Sequence, residues 1–180
     1  LAPQIRELLS REGLVLGICN GFQVLVKAGI LPNLDGSWRQ SASLVANDSG
    51  SFENSWVRLR TEPENGSPWL AGMAEMDLPI RNGEGRFMTA SPEVLRELEA
   101  RGAVAFRYGD RNPNGSEHDI AGITDPTGRV LGMMPHPEAF LSPYHHPGWR
   151  KDDETGPPRD GLRLFANAVA ALSGKPRASQ

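Results

Sequence analysis

Leu14-Val15-Leu16-Gly17-Ile18-Cys19-Asn20-Gly21-Phe22-Gln23-Val24-Leu25-Val26-Lys27-Ala28 carries two different periodicities on either side of one cysteine. Residues 14–18 form a short continuous apolar run, the pattern of a strand buried on both faces, as in a parallel sheet. Residues 22–28 read as a helix that Gly29 closes. Upstream, residues 2–12 read as another helix: Pro3 suits the first turn, Ile5, Leu8 and Leu9 share a face, and Gly13 ends it. Helix, buried strand, tight turn and helix in succession is the signature of an α/β fold.

Further out the pattern changes. Residues 33–55 are polar and rich in Gly, Ser and Asn, which predicts loops and short antiparallel pieces. Residues 56–59 alternate as a half-buried strand does. Residues 68–72 read as a turn or short helix, 77–80 and 104–108 as strands. Ser91-Pro92-Glu93 starts a helix through 99, with a serine cap and proline at the first position. Residues 120–124 and 130–134 pair as a hairpin around Asp125-Pro126-Thr127-Gly128. A last helix over 161–172 places Leu162, Phe165, Val169 and Leu172 at helical spacing, and 173–180 read as a frayed tail.

The 180 residues suit one domain able to bury a core without disulfides. A net charge of −3 gives no electrostatic reason to expect nucleic acid or a membrane surface as partner. No apolar run approaches the roughly 20 residues a membrane span needs. The single cysteine excludes an internal disulfide and fits a reducing compartment, so a cytoplasmic location is expected.

Cys19 sits between a buried strand and a helix, with Gly17 and Gly21 two residues to either side. A sharp strand-to-helix turn needs such small neighbours, and it lifts the sulfur above the carboxyl end of the sheet. The helix N-terminus that follows favours a thiolate. The backbone N–H of Asn20 points to where an oxyanion would develop. On the turn alone, a buried structural thiol remains a competing reading. The second element is Met134-Pro135-His136-Pro137-Glu138, after the apolar strand 130–134. Histidine suits proton transfer near neutral pH, and a carboxylate two residues on can orient it.

These residues resemble a known family. Gly17-Ile18-Cys19-Asn20-Gly21-Phe22-Gln23 is similar to the nucleophile motif of class I (triad-type) glutamine amidotransferases, and Pro135-His136-Pro137-Glu138 to their His-Glu pair. Gly83-Glu84-Gly85-Arg86, Asn112-Pro113-Asn114-Gly115-Ser116, Ile120-Ala121-Gly122-Ile123 and Gly132-Met133-Met134 narrow the likeness to the glutaminase subunit or domain of phosphoribosylformylglycinamidine synthase, of purine biosynthesis. The resemblance implies a flavodoxin-like α/β domain over 1–172, with a mostly parallel sheet flanked by helices. It implies a Cys19-His136-Glu138 triad, the Asn20 backbone as oxyanion donor, and Gly17, Gln23, Asn82, Gly83 and Glu84 as substrate-binding residues. It also implies glutamine as substrate and a separate or fused formylglycinamide ribonucleotide synthetase as partner. No cofactor is implied in this domain; ATP and Mg belong to the partner.

Two departures qualify the likeness. The family's domain begins upstream of the counterpart of Leu1, with further strands and a Gly-rich loop that supplies a second oxyanion donor; 1–172 is therefore expected to be N-terminally incomplete. The family also has His where this chain has Asn82, which cannot titrate and is read as substrate-lining. Two rival functions stay open: another Cys-His-Glu hydrolase, of the γ-glutamyl hydrolase or cysteine peptidase kind, and a non-catalytic domain that only binds the synthetase. No metal site is expected, because His145 and His146 are adjacent and face opposite ways in an extended segment.

Overall fold

The apolar segments condense into one curled sheet with helices on both faces. The computed structural model describes residues 2–149 and 160–174. Along them run α1 (Ala2–Ser10), β1 (Val15–Ile18), α2 (Asn20–Lys27), β2 (Ala42–Val45), β3 (Glu53–Thr61), β4 (Glu75–Asn82), β5 (Arg86–Thr89), α3 (Pro92–Ala100), β6 (Val104–Tyr108), β7 (Ile120–Thr124), β8 (Val130–Met133) and α4 (Asp160–Leu172). The expected tail after 172 lies, from 175 onward, outside the described residues.

Six strands form the main sheet in the order β1-β8-β7-β6-β3-β4, and β2 pairs with β5 in a separate antiparallel ribbon. The expected α/β class holds, but the expectation of a mostly parallel sheet does not. Among the described strands only β1–β8 is parallel, and the other four pairings of the main sheet are antiparallel. The physical reason lies in the connections. A tight turn over 125–128 joins β7 to β8, and a turn of that length can only return the chain antiparallel.

One face of the sheet packs Leu59, Leu78, Ile80, Met133 and Phe106 against Phe140 and the Leu164 and Ala168 face of α4. The other packs Val104, Ile123 and Val130 against α1, α2 and α3 through Ile5, Phe22, Val26 and Leu98. Burying a side chain such as Phe22, which is wholly inaccessible, contributes about 1.5–3 kcal/mol. α4 turns a different face inward from the one its spacing suggested: Leu164 and Ala168 are buried, whereas Leu162, Val169 and Leu172 are exposed. At the end of α2, Gly29 adopts φ 69°, and a Cβ there would lie 2.3 Å from the Trp38 carbonyl oxygen. Only glycine fits that left-handed stop.

The candidate active site

The parallel register Ile18↔Met133 places the ends of β1 and β8 side by side. Cys19, the first residue past β1, donates its N–H to Met133 O at 2.8 Å. It caps α2 in a left-handed conformation, φ 50° and ψ −107°. A non-glycine residue is held so at a cost of about 1–3 kcal/mol. The surroundings hold it: the Gln23 N–H returns to Cys19 O at 3.1 Å, and the ladder bond to Met133 fixes its amide. Asn20 opens α2, so its N–H is among the first-turn donors with no intrahelical partner. It is the residue expected to donate to an oxyanion.

His136 follows β8 by three residues. Its N–H donates to Pro79 O of β4 at 2.9 Å, and its Nδ1 meets Glu138 Oε1 at 2.5 Å. That contact fixes the tautomer so that Nε2 is the nitrogen left for Cys19. Nε2 is buried and has no hydrogen-bond partner among the described residues. The Cys19 side chain is nevertheless the largest cause raising the His136 pKa above its usual value. Partial burial opposes it, and the Glu138 hydrogen bond and charge add to it. Thiol and imidazole therefore adjoin without being locked together, and Sγ makes only a long contact, 3.8 Å, to Arg81 O. α4 supports this turn from behind. A Cβ on Gly161 would lie 1.9 Å from Pro137 O, so the absent side chain lets the helix approach.

The structure brings Gln23 to the glycine-rich segment, with Nε2 donating to Glu84 O at 2.8 Å. Gly83 is half-buried and Glu84 exposed beside it. Two residues expected to touch substrate, Gly17 and Asn82, are buried. Gly17 is buried beneath α2, where a Cβ would lie 2.4 Å from Leu25 Cδ1; its part is to let the helix sit down. The Asn82 side chain is 4% exposed. Strand alternation puts it inward with Met76, Leu78 and Ile80, and it lies under Gly85, whose Cβ would be 2.2 Å from Asn82 Oδ1.

Arg81 O and Pro79 O, which touch the nucleophile and the base, carried no signal in the sequence because both act through backbone. Tyr108, Asn114 and Asn47 also went unread as site-supporting residues. Tyr108 is fully buried, which pushes its hydroxyl pKa up, and it accepts from Asn114 Nδ2 at 3.0 Å. His146 packs against Trp56 and Phe140. Among the described residues no group of His, Cys, Asp and Glu is arranged to hold a metal, and no helix is long and apolar enough to cross a membrane. A cleft of about 450 Å³ bounded by Thr61, Asn65, Ser67 and Met73 shares no residue with the triad. Its one titratable group, Glu62, is ion-paired with Arg107.

Known proteins share this fold and much of this sequence. Residues 1–170 match the family profile of the CobB/CobQ-like glutamine amidotransferase domain. The PurQ subunit of phosphoribosylformylglycinamidine synthase from Dehalococcoides mccartyi is 40% identical over 179 residues, covering 94% of this chain and 68% of that protein. Its counterpart from Synechococcus elongatus is 45% identical over 164 residues, covering 89% and 64%. A solved structure of PurLQS from Thermotoga maritima superposes with a TM-score of 0.71 at 29% identity, over 93% of this chain and 66% of that one. A further Thermotoga maritima glutamine amidotransferase, at 18% identity and TM-score 0.51, shares the fold. The chain spans about two thirds of the length of the curated relatives, from 58% to 68% in the first three.

Proposed function

This chain belongs to the CobB/CobQ-like glutamine amidotransferase family, and on that premise we propose that it is the glutaminase component of phosphoribosylformylglycinamidine synthase. The observation that carries the reading is the Glu138-oriented imidazole set beside a cysteine strained into a strand-to-helix turn. Its family context, about 40% identity to PurQ subunits over most of the chain, supports the choice of pathway.

The chemistry follows from the atoms. Cys19 Sγ gives its proton to His136 Nε2 and attacks the side-chain carbonyl carbon of glutamine. The Asn20 N–H stabilises the oxyanion of the tetrahedral adduct; a donor in that role is worth roughly 10²–10³ in rate. His136 returns the proton to the amide nitrogen, the C–N bond breaks, and ammonia leaves a glutamyl thioester. His136 then takes a proton from water, whose oxygen attacks the thioester; the C–S bond breaks, His136 returns that proton to Cys19 Sγ, and glutamate leaves. Glu138 holds the imidazole in the competent tautomer throughout. Gln23 and the wall formed by 83–84 hold the glutamine. Ammonia passes to an ATP- and Mg-dependent synthetase that acts on formylglycinamide ribonucleotide, the two working together in the cytoplasm.

The test is labelling with 6-diazo-5-oxo-norleucine in the presence of the synthetase and ATP. Saturable modification of Cys19 that glutamine blocks is expected. Cys19→Ala is expected to abolish glutamine-dependent turnover and to leave ammonia-dependent synthesis by the partner intact. Survival of glutamine-dependent turnover in that variant would show that another group is the nucleophile.

A further inference from the structure

Asn47 lies outside the triad and its motifs, yet it is 3% exposed and all its polar atoms are engaged. Its N–H donates to Gly83 O at 2.9 Å. Its Nδ2 donates to Asn82 O and to Ser51 O, both at 2.9 Å, and its Oδ1 accepts the Gly85 N–H at 2.9 Å. One residue therefore satisfies three backbone groups of segment 82–85. Beyond the β3–β4 ladder that segment has little regular pairing of its own. Buried backbone groups without a ladder need such partners, and each bond made narrows the shape the segment can take.

A second clamp closes from the other side, supplied by the Asn112–Ser116 motif. Ser116 Oγ accepts the Phe87 N–H at 2.9 Å and approaches Gly85 O at 3.4 Å, while Arg86 Nε donates to Gly115 O at 3.0 Å. Asp48 N–H joins the two clamps by donating to Asn114 O at 3.2 Å. Arg81 O, just before this segment, lies beside Cys19 Sγ, and Glu84 O within it accepts from Gln23 Nε2.

We infer that Asn47 is a positioning residue for glutamine: it sets the backbone of 82–85 in the shape that walls the pocket beside Cys19. The inference rests on the reading of that segment as the glutamine pocket. The hydrogen bonds of Asn47 reach neither Cys19 nor His136, so its removal disturbs substrate placement and leaves the proton chemistry alone.

The test uses the chain assembled with its synthetase subunit, ATP and Mg. Cys19 is labelled with 6-diazo-5-oxo-norleucine against rising L-glutamine, and separately with iodoacetamide across pH. In Asn47→Ala the glutamine concentration that half-protects Cys19 rises roughly 10–100-fold, the scale of an ångström-sized misplacement, while the iodoacetamide pH profile matches wild type. Ser116→Ala, which loosens the same segment from its far side, shows the same split at smaller size. Wild-type protection in Asn47→Ala, or a pH profile that shifts along with the loss, overturns the inference. If Asn47→Ala does not fold, Ser116→Ala decides alone, and unchanged protection there overturns it. A wild-type chain that glutamine never protects overturns the glutaminase reading as well; a protected wild type with unaffected variants overturns this inference only.

Discussion

Gly17→Ala isolates the role of the buried glycine under the nucleophile's helix. The added Cβ would lie 2.4 Å from Leu25 Cδ1 and 2.9 Å from both the carbonyl carbon and oxygen of Gly21. Carbon–carbon contacts are comfortable at about 3.5–4.0 Å, so roughly an ångström must be found. Leu25 is 5% exposed and packed, and the Gly21 atoms are backbone, so neither can swing aside. α2 itself has to lift. Overpacking of this kind costs about 1–3 kcal/mol, which in a chain of this size lowers Tm by about 2–12 °C. Because Cys19 and the Asn20 N–H ride on the lifted turn, glutaminase activity falls by up to about 10²-fold. The paired control is Gly21→Ala: contrary to the expectation that the turn needs both small neighbours, its Cβ meets nothing within 4 Å, and alanine early in α2 gains about 0.5–1 kcal/mol of helix propensity. Thermal unfolding followed by circular dichroism, with glutamine hydrolysis measured in the assembled complex, reads both. A Gly17→Ala variant as stable and active as wild type, or a Gly21→Ala variant destabilised as much, refutes the packing argument.

In Glu138→Gln the charge and hydrogen bond that help raise the His136 pKa are weakened. The base must be unprotonated to take the thiol proton, so the acid limb of kcat/KM moves to lower pH, while plateau kcat drops by about 10²–10⁴; an acid limb that moves up contradicts the assignment. Burial raises the Asp160 pKa, opposed by the Asp77 N–H it accepts. Its ionised form is thus disfavoured in the folded state, and the cost grows as pH rises from the ordinary carboxylate range through the raised value. Asp160→Asn keeps an acceptor for the Asp77 N–H and is expected to raise Tm at pH 7 with no gain at pH 3; a gain confined to low pH reverses the argument. Phe22→Ala empties a fully buried position stacked 6.2 Å from Phe87 and should cost about 3–5 kcal/mol, measured by urea unfolding; a loss under 1 kcal/mol would mean that the site collapses freely.

Much of this was legible because local signals agreed. The continuous run 14–18, the glycine-flanked cysteine and the helical spacing after it all point to one turn, and the turn is there. The hairpin 120–134 was legible from its Asp-Pro-Thr-Gly corner. The sense of the sheet was less so, for a physical reason. All residues of β7 and β8 are buried, because helices cover both faces, and a central antiparallel strand covered on both sides carries the same apolar pattern as a parallel one. α4 misled for a related reason. It is apolar on more than one face, and which face turns inward depends on what it meets: the small Ala168 and Gly161 let it approach Phe140 and Pro137, a choice no periodicity records.

The deepest gap between sequence and site is topological. β1 and β4 stand at opposite ends of the strand order of the described six-stranded sheet. Yet the nucleophile at the end of β1 lies on Arg81 O of β4, and the base that follows β8 hangs its N–H from Pro79 O of the same strand. The residues that follow β1 and β8 reach across to the backbone of β4, and the triad occupies that meeting place. The parallel register Ile18↔Met133 fixes one side of that meeting and the His136–Pro79 bond the other. A one-residue slip in either would send every alternate side chain to the wrong face, taking Cys19 or His136 out of reach. The Cys19–His136 pair therefore also reports strand register: its geometry exists only when β1 and β8 pair as Ile18↔Met133 and the residues after them reach β4.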